Sequence, residues 1–276
     1  MRHWALGILT TLFFTGLSFP VLGNTFIHPT MERSNSISFG AFYQSAYVGI
    51  DSSSNLDSSE GLNLETLGVD TSDTSAVFSY RRRLSQRFSV DLSYSDYRSQ
   101  GDRVLTADVE YNGTIFEVGA RVQTEFKSQT LATRLTYDFY QTPSTALGIG
   151  VGIHAMELQA QLSGEGQLDG DVVASQSVAS DNLLAPLPNL VFTAKHAFDD
   201  RLLLNLSAGW LSFNIDDYEG RILLSEASLS YRVTESASVA VAYQLNDINV
   251  SHYGDLLDSN YNMTQGGPLL MIKWAF

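Results

Sequence analysis

No cysteine occurs among the 276 residues, so neither disulfides nor thiolate-bound metal can hold the fold. Proline is sparse, at six residues, while aromatics reach 11%; a disordered chain would show the opposite bias. Basic residues are few: 16 Lys and Arg stand against 30 Asp and Glu, which argues against nucleic acid as a partner. Beyond the N-terminus no long apolar run occurs. That excludes a transmembrane helix in the rest of the chain, because such a helix needs about 20 apolar residues. What remains is a chain that must fold by hydrophobic pairing of short segments.

The N-terminus reads MRHWALGILTTLFFTGLSFPVLGN. Arg2 and His3 give a positive start, Trp4 to Leu17 are nearly all apolar, and Val21-Leu22-Gly23 precede a polar Asn24. This is the pattern of a secretory signal peptide over residues 1–23, cut after Gly23. It leaves residues 24–276 as a single domain, with 15 basic residues against 30 acidic ones once Arg2 is removed.

Within that domain, apolar and polar residues alternate. RFSVDLSYSDY sets Phe88, Val90, Leu92 and Tyr94 against Ser89, Asp91, Ser93 and Ser95. LATRLTYDFY, ALGIGVGIH, RLLLNLSAGW, EASLSYRV and ASVAVAYQL repeat the grammar, with weaker members near residues 37, 75 and 188. The C-terminal LLMIKWAF places Leu270, Ile272, Trp274 and Phe276 in one phase. Period-two alternation signals half-buried strands, and these segments make ten.

Their connections alternate in length. Residues 84–86, 141–145, 199–200 and 234–236 are tight, whereas 51–72, 100–124, 164–182 and 254–260 are long and polar, and 216–220 is a shorter member of that second group. Aromatic residues lie near the ends of the apolar faces. The pattern predicts an all-β transmembrane, antiparallel, up-and-down barrel of the bacterial outer membrane, with short periplasmic turns and long external loops. Ten strands fit best; eight or twelve are possible, because Asn112-Gly113 between Val104 and Phe126 is a hairpin signal. Every backbone group in lipid must be paired, so the last strand should close on the first.

The inward phase carries Asp91, Arg134, Asp138, Lys195, Glu226, Arg232 and Lys273. Both signs occur in similar number, and in a narrow lumen such a set should neutralise itself as a buried network. Arg81-Arg82-Arg83 with Arg87 reads as a basic collar at the first periplasmic turn, suited to inner-leaflet phosphates or simply solvated. The acidic loops DSSSNLDSSEG and GEGQLDGD lack the carboxylate spacing of a calcium loop and read first as solvating loops. Nothing in the pattern asks for a cofactor or a resident metal.

Outside the signal peptide, histidine is limited to His28, His154, His196 and His252. His252 lies near Asp247, Asp255 and Asp258. The outer-membrane proteases of ten strands, the omptins, carry an Asp-x-His pair on one strand, and this chain has none. Barrel lipid A deacylases need a serine and an acid around a strand histidine, whereas Ser251-His252 falls at a loop. No catalytic constellation is recognised, so the chain is not expected to be an enzyme.

LNLETLGVD leading into a strand that ends YRRR, the LAPLPNL stretch, DDYEG followed by a strand ending SYRV, and the aromatic terminus together resemble a family of uncharacterised proteobacterial outer-membrane β-barrel proteins. The resemblance implies a barrel and a location. Leu270, Ile272, Trp274 and Phe276 also resemble the C-terminal signal by which the outer-membrane assembly machinery recognises its substrates. The expected partners are therefore that machinery, outer-membrane lipids and lipopolysaccharide. The first functional expectation is a structural or surface-interacting barrel whose lumen is plugged by charged side chains. A small-solute channel and an enzyme acting on lipid or peptide at the external rim are the alternatives.

Overall fold

The computed structural model describes residues 26–54, 62–63, 72–106, 108–111, 114–116, 118–168, 171–178, 183–215, 218–253 and 257–276. The expected signal peptide over residues 1–23, Asn112-Gly113 and most of the segment 51–72 lie outside these residues. A four-residue helix, α1 (Pro29–Glu32), precedes the strands. They are β1 (Asn35–Ser54), β2 (Leu62–Asn63), β3 (Ser72–Arg83), β4 (Phe88–Val104), β5 (Val109–Tyr111), β6 (Thr114–Phe116), β7 (Arg121–Gln141), β8 (Thr145–Leu168), β9 (Asp171–Val178), β10 (Leu183–Ala197), β11 (Leu202–Ile215), β12 (Tyr218–Arg232), β13 (Ala237–Tyr253) and β14 (Leu257–Ala275).

Ten of these are long, and each pairs antiparallel with its neighbours in the order β1, β3, β4, β7, β8, β10, β11, β12, β13, β14. The ring closes because β14 pairs with β1 from Ser36↔Ala275 to Ser54↔Leu257. At its lower end Phe276 N donates to Asn35 O at 2.9 Å, and Asn35 N donates to Phe276 O at 3.0 Å. The four short strands are attachments: β2 pairs with β1, β9 with β8, and the β5–β6 hairpin touches β8 at Ile115↔Gln167. Ten barrel strands, rather than eight or twelve, result because β4 and β7 stay paired as far as Val104↔Arg121.

The tight turns are built by side chains that satisfy the backbone. Ser85 Oγ accepts from Phe88 N at 3.1 Å, Thr142 Oγ1 from Thr145 N at 2.9 Å, and Thr234 Oγ1 from Ala237 N at 2.9 Å. Asp199 accepts from both Arg201 N and Leu202 N at 2.7 Å. Small oxygen-bearing side chains favour such turns because they replace a missing ladder partner. The two backbone bonds make the Asp199 carboxyl more acidic than usual.

Outward-pointing residues form a continuous apolar belt. Phe39, Leu131, Leu135, Ile149, Val151, Ile153, Phe192, Leu206, Leu229, Val241, Leu270 and Ile272 are all exposed. Aromatics edge the belt: Phe88, Phe139, Tyr231, Trp274 and Phe276 below, and Tyr43, Tyr94, Trp210 and Tyr243 above. Phe88 packs on Tyr137 with centroids 4.9 Å apart. A register shift between Asp138 and Tyr140 turns Phe139 and its neighbour Tyr140 both outward at the lower edge, as a β-bulge does. An apolar band around a whole barrel is far beyond what a water-soluble surface carries.

Candidate functional site

The inward phase encloses a cavity of about 210 Å³. At roughly 10–15 Å³ of such volume per water, it holds on the order of ten waters and is wet. Six basic side chains line it, Arg33, Arg81, Arg83, Arg134, Lys195 and Lys273, against three acidic ones, Asp91, Asp138 and Glu226. A chain that carries 16 basic and 30 acidic residues thus has a lumen of the opposite sign.

Six of the seven residues assigned to the lumen from sequence line this cavity. Asp91 is held by Arg81, Nε to Oδ1, at 2.7 Å. Arg134 stands opposite Asp91 in register, yet its Nη1 donates to Ser207 Oγ at 3.3 Å. Lys195 and Asp138 are 3.9 Å apart, a loose pair, and Asp138 Oδ2 also accepts from Gln141 Nε2 at 3.3 Å. Lys273 Nζ donates to Ser230 Oγ at 3.2 Å. Glu226 faces the cavity with no hydrogen bond or ion pair among the described residues. Arg232 is the exception. It lies at the periplasmic end and pairs with Asp200 of the β10–β11 turn, because its strand has already passed the lumen floor there.

Sequence reasoning missed Arg81. The run Arg81-Arg82-Arg83 is not a collar, because β3 stays paired to Arg83 and its two-residue alternation turns alternate arginines inward. Arg81 follows Ser79 in the inward phase and faces Asp91 across the ladder; that alternation was the signal that could have found it. The inward glycines of β8 were also undervalued. A Cβ on Gly152 would lie 2.3 Å from Asn189 Oδ1 and 3.3 Å from Arg134 Cγ. A glycine there leaves room for the Asn189 amide and for the stem of Arg134, whose guanidinium reaches Ser207 on β11.

The largest omission is the segment before β1. Phe26 and Met31 are buried against Ala146, Ala197 and Leu203, which point inward at the lower end of their strands. Ile27 N donates to Pro143 O at 2.8 Å. His28 is fully buried: its Nδ1 accepts from Thr30 N at 3.3 Å, which leaves Nε2 to carry the proton and donate to Arg201 O at 3.3 Å. Arg83 fastens the segment, donating to Met31 O and Gln86 O, with its guanidinium 5.1 Å from the Phe26 ring centroid. Burial holds the His28 imidazole below its ordinary value of 6.5. The Arg201 carbonyl opposes that shift, Arg232 adds to it, and Asp199 and Asp200 oppose it weakly.

His154 and His196 are each engaged within the barrel. His154 Nδ1 lies 3.3 Å from Asn189 Nδ2, and His196 Nδ1 lies 2.9 Å from Thr145 Oγ1 with its ring edge-on to Phe198. The side chain of His252 falls outside the described residues. Above the belt the outer face turns charged, with Arg98–Asp96 at 3.0 Å, Lys127–Glu125 at 2.9 Å, Arg121–Asp102 at 2.8 Å and Arg221–Asp247 at 3.5 Å. Leu270, Ile272, Trp274 and Phe276 all point outward from β14.

Among solved structures, the outer-membrane protease OmpT from Escherichia coli matches with a TM-score of 0.60 at 11% identity, over 88% of this chain and 97% of that one. The translocator domain of the autotransporter NalP from Neisseria meningitidis matches at a TM-score of 0.48 and 10% identity, over 91% and 90%. Neisserial surface protein A matches at a TM-score of 0.27 and 12% identity, over 88% and 97%. No protein-family model and no curated protein matches the sequence. At these identities the likeness is one of fold. A closed barrel with an apolar belt belongs in a bilayer, and the chain is an integral outer-membrane β-barrel protein.

Proposed function

We propose that the protein is a non-enzymatic barrel, closed to through-flow, that serves as a structural and surface-facing element of the outer membrane. One observation carries this reading: Phe26 and Met31 pack on inward-facing residues of the lower lumen, so residues 26–34 lie where solutes would leave a channel. The Arg81–Asp91 contact and the looser Lys195–Asp138 pair support it, since side chains of both signs narrow the lumen and gain by holding one another there. Arg98, Lys127 and Arg221 sit above the belt, suited to phosphate groups of lipopolysaccharide in the outer leaflet. The outward row ending in Phe276 is suited to the assembly machinery before β14 enters lipid.

The channel reading has its own observation in the wet cavity, but needs residues 26–34 to leave the mouth. Liposome swelling decides between them. Vesicles containing the refolded mature protein should swell in isotonic arabinose no faster than empty vesicles. Swelling that scales with protein content would replace the closed barrel with a channel.

A further inference from the structure

The charge carried by the cavity is opposite to that of the chain. Away from the lower mouth, Arg81, Arg134, Lys195 and Lys273 face Asp91, Asp138 and Glu226. Arg81 is matched by Asp91 in direct contact and Lys195 loosely by Asp138. Among the described residues, Arg134 and Lys273 reach only serine hydroxyls, at 3.3 and 3.2 Å. A cation at membrane depth is costly unless an anion or an aqueous cavity accompanies it. Glu226 supplies one negative charge on that side against the two positive ones, and the water of the cavity solvates the remainder.

The hydroxyls that hold these two cations keep donors of their own. Ser207 and Ser230 both line the cavity, and each oxygen accepts from its cation, so each O–H is left to donate into the water-filled space. Glu226 stands opposite Ser207 on β12.

We infer that the lumen is a binding site for a small oxyanion, a phosphate or a carboxylate, with Arg134 and Lys273 supplying the charge and the hydroxyls of Ser207 and Ser230 as neutral donors. A guanidinium matches two oxygens of such a group, whereas the ammonium acts as a point charge. The cavity is large enough for the anion and several waters. The assignment rests on the wet cavity and its cations, and holds whether or not the lumen is closed to through-flow.

Inorganic phosphate is the probe, titrated calorimetrically into the refolded mature protein in a zwitterionic detergent, with acetate as competitor. Saturable binding should appear at one site per barrel and weaken at least tenfold in both Arg134→Gln and Lys273→Gln. Arg201→Gln, at an exposed turn, should leave it unchanged. Displacement by acetate at similar concentration marks general oxyanion binding, and resistance to acetate marks phosphate selectivity; either upholds the site. Heat-modifiable migration checks that each variant is folded, and Arg134→Lys, which keeps the charge, should bind within a few-fold of the wild type if Arg134→Gln does not fold. Absence of saturable binding at millimolar phosphate, or binding indifferent to both glutamine variants, would overturn the site. Because the readout is binding, a wild type that conducts ions yet binds phosphate would sink the closed-barrel reading and leave the oxyanion site standing.

Discussion

At the scale of single residues, His28 is the most informative side chain. Its two ring nitrogens are both engaged, one as acceptor from Thr30 N and one as donor to Arg201 O, an arrangement that only the neutral ring can satisfy. A second proton would meet the Thr30 N–H head-on. Arg232, Arg201, Asp199 and Asp200 surround the site, and burial outweighs the acids, so the docked imidazole resists protonation. A base with a depressed folded-state value stabilises docking above its unfolded value of 6.5 and loses that contribution as pH falls below it. Hydrogen exchange should therefore show the amides of residues 27–33 protected at pH 8 and progressively less so below pH 6.5, relative to the barrel strands. Equal relative protection across that range, or loosening on the alkaline side, would mean that the His28 bonds do not hold the segment.

The elements show which parts of the fold were legible in sequence. The belt strands were clear because lipid on one side and water on the other impose a strict alternation: Leu202, Leu204, Leu206 and Trp210 fall in one phase and Leu203, Asn205 and Ser207 in the other. Strand ends were not legible. β7 runs for 21 residues where a tilted strand needs only about 9–11 to cross the bilayer. Its upper half has no lipid to enforce a pattern, so residues 121–124 read as loop although the ladder continues through them. The same loss of contrast hid Arg81, assigned to a turn that begins three residues later. Residues 26–34 gave no periodic signal, because a strap held by two apolar side chains and a few hydrogen bonds has no repeat.

Two predictions belong to this scale. Leu206 lies midway between Leu202, level with Tyr231 of the lower girdle, and Trp210 of the upper one. Leu206→Arg should destabilise refolding into lipid vesicles by about 2–4 kcal/mol, while Asn205→Arg, pointing into the wet cavity, should cost clearly less. The reverse order would invert the phase of β11. Phe276 supplies both backbone bonds that lock β14 to Asn35. Its deletion should lower the yield of heat-modifiable protein in the membrane fraction; an undiminished yield would show that the last ladder rung and the terminal aromatic are dispensable.

The molecule as a whole is a barrel whose exterior suits lipid and whose external face is charged, with a basic, wet lumen crossed at its periplasmic mouth by its own N-terminal segment. Closure does not depend on that segment: the β14–β1 ladder completes the ring, so residues 26–34 can be removed and the wall remains. If the lumen is shut there, their removal should convert a silent barrel into a conducting one. Planar-bilayer recording compares the two directly. The mature protein should show no steady single-channel current, and a variant lacking residues 26–34, with folding confirmed by heat-modifiable migration, should show discrete openings. Stable conductance in the intact protein, unchanged by the deletion, would contradict the closed barrel.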